Sequence, residues 1–170
     1  MQSVEQAERW IKDRALGQDV FNFAIELRHP SSSDLSIIGV AGSFHIPKIG
    51  YLTHPQYWGK GIASEALNAV APAIFQRFRS AEEAELKASG TGLDYIEGWI
   101  DVDNAASRRV LEKAGFVVCE EMDAPDSAPG SAARVAVLRM ARTGRSLEEL
   151  GLRGVEKREG SEERIVPPVE

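Results

Sequence analysis

A strand-like run, Gly50-Tyr51-Leu52-Thr53-His54-Pro55, leads through Gln56-Tyr57-Trp58-Gly59-Lys60-Gly61 straight into a helical pattern that opens at Ile62-Ala63. The helix is marked by Ile62, Ala66, Leu67, Val70, Ala71, Ile74, Phe75 and Phe78, which follow a 3.6-residue period. Pro72 is expected to kink it rather than end it. Two glycines one residue apart permit backbone conformations and close approaches that a side chain would block. The first amides of a helix have no intrahelical acceptor and point at whatever precedes the N-terminus. Together with the helix dipole and Lys60 they make an anion site, for which a pyrophosphate is a natural occupant. The glycines also have a plainer reading, as the hinge of an ordinary strand–helix connection. Two nucleotide readings fail on identity: a Walker loop would need glycine at His54 and Ser or Thr at Gly61, and a Rossmann turn would need glycine at Ser64.

The rest of the chain alternates around this unit. Ser3-Val4-Glu5-Gln6 reads as a capping box, opening a helix with an apolar stripe at Val4, Ala7, Ile11 and Ala15 that Gly17 can end. Strand formers fill Val20–Leu27 and Leu35–Ala41, a hairpin closed over His29 to Asp34, and a third strand covers Ile49–Thr53. Ser80-Ala81-Glu82-Glu83 predicts a short helix over 81–88. Tyr95–Asp101 reads as a strand, and Asn104–Ala114 as a helix with Lys113 in its last turn and Gly115 as its C-terminal cap. Phe116–Glu121 and Arg134–Met140 are the last strands. Ser146–Leu150 reads as a helical turn within a polar tail expected to be mobile, which sets a domain over 1–142 and a tail over 143–170. The order implies an α/β protein of the α+β kind, a central mixed sheet flanked by helices.

Composition narrows the function. Twenty basic against 26 acidic residues give a net charge of −6, which argues against nucleic acid as a partner. No apolar run approaches the roughly 20 residues that span a bilayer, and the N-terminus lacks the basic and apolar regions of a signal peptide, so neither membrane nor export is expected and the cytoplasm is the expected compartment. Cys119 is the one cysteine, so no disulfide framework or cysteine-rich metal site is expected; after Phe116-Val117-Val118 it reads as a small buried hydrophobe.

Gln56-x-x-Gly59-x-Gly61 resembles the signature of the GNAT superfamily of N-acetyltransferases. The longer string Tyr57 to Leu67, and Asn104-Ala105-Ala106-Ser107-Arg108-Arg109-Val110-Leu111-Glu112-Lys113-Ala114-Gly115-Phe116, resemble the RimJ/RimL branch, which acetylates ribosomal-protein N-termini. The resemblance covers about residues 3 to 141. It implies a GNAT-like fold in which the strand before the signature splays from its parallel neighbour at a bulge and admits the pantetheine arm of acetyl-CoA. It further implies that Tyr51, Leu52 and Thr53 line that arm, that Gln56 and the amides of Trp58, Gly59, Lys60, Gly61, Ile62 and Ala63 hold the pyrophosphate, and that Asn104 bonds the pantetheine. Ser107, one turn on from Asn104, is implied near the cofactor sulfur. Asn104 and Ser107 also have structural readings, as an N-cap and an exposed first-turn residue. Tyr57 and Trp58 read as packing.

Direct transfer is the implied chemistry. A neutral amine, on a peptide N-terminus or a small molecule, attacks the thioester, and a backbone amide of the Tyr51–Thr53 strand takes the oxyanion. A positioned base would add roughly 10²–10⁴-fold. Many relatives carry a glutamate where this chain has Lys48, so Glu97, His54 and His45 are the substitutes in view. The acidic run from Glu120 to Asp126 stands where a loop near the acceptor would attract a cation, and it also has the plainer reading of a solvated loop. Relatives usually begin with a further strand and helix; without them an exposed sheet edge and a homodimer are expected. The rival class is an acyl-CoA-binding module without catalysis, or a chain that works only with a partner.

Overall fold

In a computed structural model the described residues are 3–15, 20–28, 35–78, 92–125 and 133–152. Helix α1 (Val4–Ala15) is followed by strands β1 (Phe21–Arg28), β2 (Leu35–His45) and β3 (Lys48–Thr53), then by a 3₁₀ turn over Pro55–Tyr57 and helix α2 (Ile62–Arg77). Strand β4 (Tyr95–Asp101), helix α3 (Ala105–Lys113) and strands β5 (Val117–Asp123) and β6 (Arg134–Ala141) complete it. The six strands form one mixed sheet, as the order of elements implied, arranged β1-β2-β3-β4-β6-β5. The capping box at Ser3 is present, with Gln6 N–H donating to Ser3 Oγ at 3.2 Å. Val4, however, is 75% exposed, so the predicted stripe does not pack at its first position. The helix predicted over 81–88 lies outside the described residues, as do the first hairpin's turn and the tail from 153.

Strand β2 runs four residues beyond the expected Ala41. Gly42 hid the extension, yet glycine is what the sheet requires there and at Gly39: a Cβ on Gly42 would stand 2.2 Å from Phe21 O, and one on Gly39 2.3 Å from Leu52 O. Helix α2 continues through Pro72 and buries Leu67, Val70, Ala71 and Ile74, the predicted stripe, against β2 and β3. Its C-terminus is held by Arg142, whose Nη1–H donates to Phe75 O at 2.7 Å and whose Nε–H donates to Leu93 O at 2.9 Å. A cation at the carbonyl end of a helix offsets both its unpaired acceptors and its dipole.

The acidic run is not a loop through its first part. Glu120 to Asp123 belong to β5, with Glu120 paired to Arg139 and Glu121 near Arg134 and Arg108. Cys119 is buried as expected. Its Sγ lies 3.5 Å from Leu152 O, so the expected tail packs against the sheet at least to that residue. The turn at Ser146 is capped reciprocally, by Glu149 N–H donating to Ser146 Oγ and Ser146 N–H donating to Glu149 Oε2.

Candidate active site

The parallel pair β3–β4 is registered at a single position, Lys48 with Glu97, anchored by Glu97 N–H donating to Pro47 O at 3.0 Å. Beyond it the strands part. The opening is a cavity of about 270 Å³ lined from β3 by Ile49, Gly50 and Tyr51, from β4 by Gly98, Trp99, Ile100 and Asp101, and from α3 and its N-cap by Ser107, Leu111 and Asn104. Side chains alternate across a sheet, so this lining contains residues of both faces. Gly98 faces α3, since a Cβ there would meet Leu111 Cδ1 at 2.9 Å, whereas Trp99 and Asp101 face the other way. The opening is a slot through the sheet.

On the helix side the slot meets a second cavity of about 530 Å³, bounded by β3, the glycine turn, the start of α2 and the face of α3. Tyr51, Asn104 and Ser107 line both. Gly59 and Gly61 have φ of +72° and +82°, the left-handed region where a side chain is strained, and a Cβ on either would meet nothing within 4 Å. Backbone carbonyls accept from Tyr57 N–H, Trp58 N–H and Glu65 N–H, but among the described residues from none of the amides of Gly59 to Ser64. Gly61 caps α2 without a side-chain hydrogen bond. The turn therefore offers a run of unclaimed donors at a positive helix end, the arrangement a diphosphate needs. Trp58 braces it: the indole is exposed, but its Nε1–H donates to Thr53 O at 2.8 Å.

Asn104 fills its structural role and stands where the cofactor role would need it. Its Oδ1 accepts from Ser107 N–H at 3.0 Å, capping α3, and the residue lines both cavities. The Tyr51 hydroxyl is shut from solvent without a hydrogen-bond partner of proper geometry. Burial raises its pKa above the ordinary 10.0, and the neighbouring Ser107 hydroxyl opposes that only in part.

Of the residues expected to meet the cofactor, Thr53, Leu52, Trp58, Gly59, Gly61, Ile62 and Ala63 also line the larger cavity. Gln56 and Lys60 do not; Lys60 Nζ stands 5.2 Å from the Tyr57 ring centroid. The formal charge at the cavity comes instead from Arg109 and Lys113 of α3. With Ala106 and Val110 they recur at helical spacing, a signal available one step from Asn104 and Ser107 but not used.

The proposed bases fare differently. Glu97 is buried with both oxygens engaged: Oε2 accepts from Arg139 Nε–H at 3.0 Å and Oε1 from Trp99 Nε1–H at 2.8 Å. A carboxylate so held is a structural ion, not a free base, which corrects the expectation for this residue. Burial lowers the Arg139 pKa, but Glu120 and Glu97 outweigh it and raise it overall. His54 is exposed, lines neither cavity, and spends Nδ1 on Gln56 N–H at 3.3 Å, shaping the turn. His45 is exposed at the end of β2.

The Acetyltransferase (GNAT) domain family matches residues 1–117, more than half of the chain. No curated protein sequence matches it. Among solved structures, an acetyltransferase of the GNAT family from Bacillus anthracis superposes with a TM-score of 0.56 at 20% identity, over 82% of this chain and 75% of that one. A chimera of the spermidine N-acetyltransferase SpeG from Vibrio cholerae with hSSAT gives a TM-score of 0.55 at 15% identity, over 82% of this chain and 80% of that one. At such identities the likeness is one of fold. The splayed strands, the glycine turn and the family match together establish that the chain belongs to the GNAT family of acetyltransferases.

Proposed function

We propose that this N-acetyltransferase lays the pantetheine arm of acetyl-CoA along the slot, holds the diphosphate on the amides of residues 58–63, and acetylates a primary amine by direct attack. The observation that carries this reading is the junction of a through-sheet slot with a turn of unclaimed backbone donors. Arg109 and Lys113 add charge for the phosphates. In the transfer, a neutral amine nitrogen bonds to the thioester carbon and a backbone amide of Tyr51–Thr53 stabilises the oxyanion. The carbon–sulfur bond then breaks, and the proton lost by the amine balances the one gained by the thiolate. Ser107, on the slot wall, is the proposed hydrogen-bond donor near the sulfur.

The acceptor is proposed to be a peptide N-terminus or a small amine. The RimJ/RimL-like reading favours the first and rests on the Tyr57–Leu67 and Asn104–Phe116 strings. A cytoplasmic setting accords with the single free thiol of Cys119 and is checked by fractionation. β1 is a sheet edge, and pairing of two such edges is the proposed route to a homodimer, checked by analytical ultracentrifugation. Titration calorimetry with acetyl-CoA, followed by thiol release with amines and N-terminal peptides, tests the whole. Binding near micromolar with amine-dependent release is expected; binding without release would reduce the chain to an acyl-CoA-binding module.

A further inference from the structure

The slot has two mouths. The donor occupies the helix side, so an acceptor reaches the thioester from the opposite face of the sheet. Alternation places Lys48 and Gly50 of β3 on that face, with Trp99 and Asp101 of β4; on the same strand the residues between them, Ile49 and Gly98, are buried on the helix side. Lys48 is fixed at the vertex, because Ser43 Oγ–H donates to Lys48 O at 2.7 Å and the strands are registered there. Its ammonium lies 3.7 Å from the centroid of the Trp99 ring, and that indole is itself pinned by its bond to Glu97. The charge of Glu97 is already answered by Arg139. Asp101, the next residue on this face beyond Trp99, is exposed, lines the slot, and among the described residues makes no ion pair. The mouth therefore presents a cation, an indole and a carboxylate in sequence along one face. Trp99 and Asp101, alternate residues of β4, stand about 7 Å apart, and the Lys48 ammonium lies over the Trp99 ring, so cation and carboxylate are separated by the span of a few bonds.

We infer that the acceptor carries an anionic group a few bonds from its amine, the amine facing Asp101 and the anion facing Lys48. This rests on the acetyl-transfer reading and names its substrate class. A diamine would set its second ammonium against Lys48, and discrimination by such a like-charge clash is how a site rejects near-isosteres. A free amino acid and a peptide beginning with Asp or Glu share the required chemistry.

Thiol release from acetyl-CoA is to be measured with three matched amines, γ-aminobutyrate, butylamine and 1,4-diaminobutane. Tetrapeptides beginning with Asp, Asn or Lys form the second arm. The expected order in kcat/KM is anion over neutral over cation, about tenfold from first to last in the arm that contains the true acceptor. Lys48→Met should bring the anion-to-cation ratio close to one and Lys48→Glu should invert it, with acetyl-CoA affinity by calorimetry confirming that both variants are folded. A diamine or Lys peptide preferred by the native protein, or a ratio unmoved by both substitutions, overturns the inference while the transfer reading stands. No release with any amine or peptide overturns the transfer reading, and this inference with it.

Discussion

Strand β4 is paired with β6 at seven consecutive positions, from Tyr95 with Ala141 to Asp101 with Val135, and with β3 at one. The same residues thus make a complete ladder on one side and almost none on the other. Strand propensity cannot be the cause, because Tyr95–Asp101 is competent to pair. The difference lies in the neighbours. On the β6 side the interior is filled by Ala136, Val137 and Leu138, all buried. On the β3 side, Gly50 supplies no side chain and Gly98 leaves room for Leu111 of α3. Backbone donors and acceptors left unpaired inside a sheet need a partner. A zipped edge stabilises the fold, and an open one leaves room for a ligand.

The comparison breaks most readily on the zipped side. Arg139→Met would leave Glu97 buried and uncompensated, with side-chain exposures of 13% and 7% in the native pair. The expected loss is about 3 kcal/mol in urea denaturation, since breaking a buried pair strands its partner. A loss under about 0.5 kcal/mol would show the pair to be solvated. Gly39→Ala drives a Cβ into Leu52 O of the β2–β3 ladder and should cost about 1–3 kcal/mol. Gly50→Ala, at the slot, meets no atom within 4 Å and should stay within about 0.5 kcal/mol, lowering turnover instead. Equal costs at the two glycines would erase the contrast between ladder and slot.

Smaller effects sharpen it. Gly61→Trp should weaken acetyl-CoA binding by about tenfold or more in calorimetry, equivalent to about 1.4 kcal/mol, while the fold survives with the strain of a left-handed residue, about 1–2 kcal/mol. Unchanged affinity would remove the anion site. Ser107→Ala should lower kcat with little change in donor affinity, and equal activity would take Ser107 out of the transfer.

Tyr51→Phe removes a buried hydroxyl without a partner and should raise stability by about 1 kcal/mol near neutrality. Because burial holds the folded pKa above the unfolded value of 10.0, titration of Tyr51 leaves stability unchanged below that pH and lowers it as pH rises through the folded value. Urea midpoints on either side of pH 10 should therefore converge in the variant relative to the native protein. A parallel decline would place the alkaline instability elsewhere.

Helix α2 and strand β4 were legible because their apolar periods are clean and each is bounded by a turn or cap that a single residue decides. The glycine turn was legible for the same local reason, as a φ above zero requires glycine at Gly59 and Gly61 whatever surrounds them. The end of β2 was hidden, since Gly42, just past the expected end at Ala41, looks like a breaker until Phe21 O is seen pressed against it. Glu97 was misread in the same way. Its alternation with Tyr95 and Trp99 was visible, but the guanidinium that neutralises it comes from Arg139, 42 residues away.

Sequence alone determined the elements, the glycine turn at the start of α2 and the family to which both motifs point, because these depend on residues within one or two turns of each other. The tertiary structure decided which carboxylate is free, which cation reaches the cavity and where two strands part. Those outcomes turn on charges and volumes from distant segments, and no local pattern along the chain encodes the distance between them.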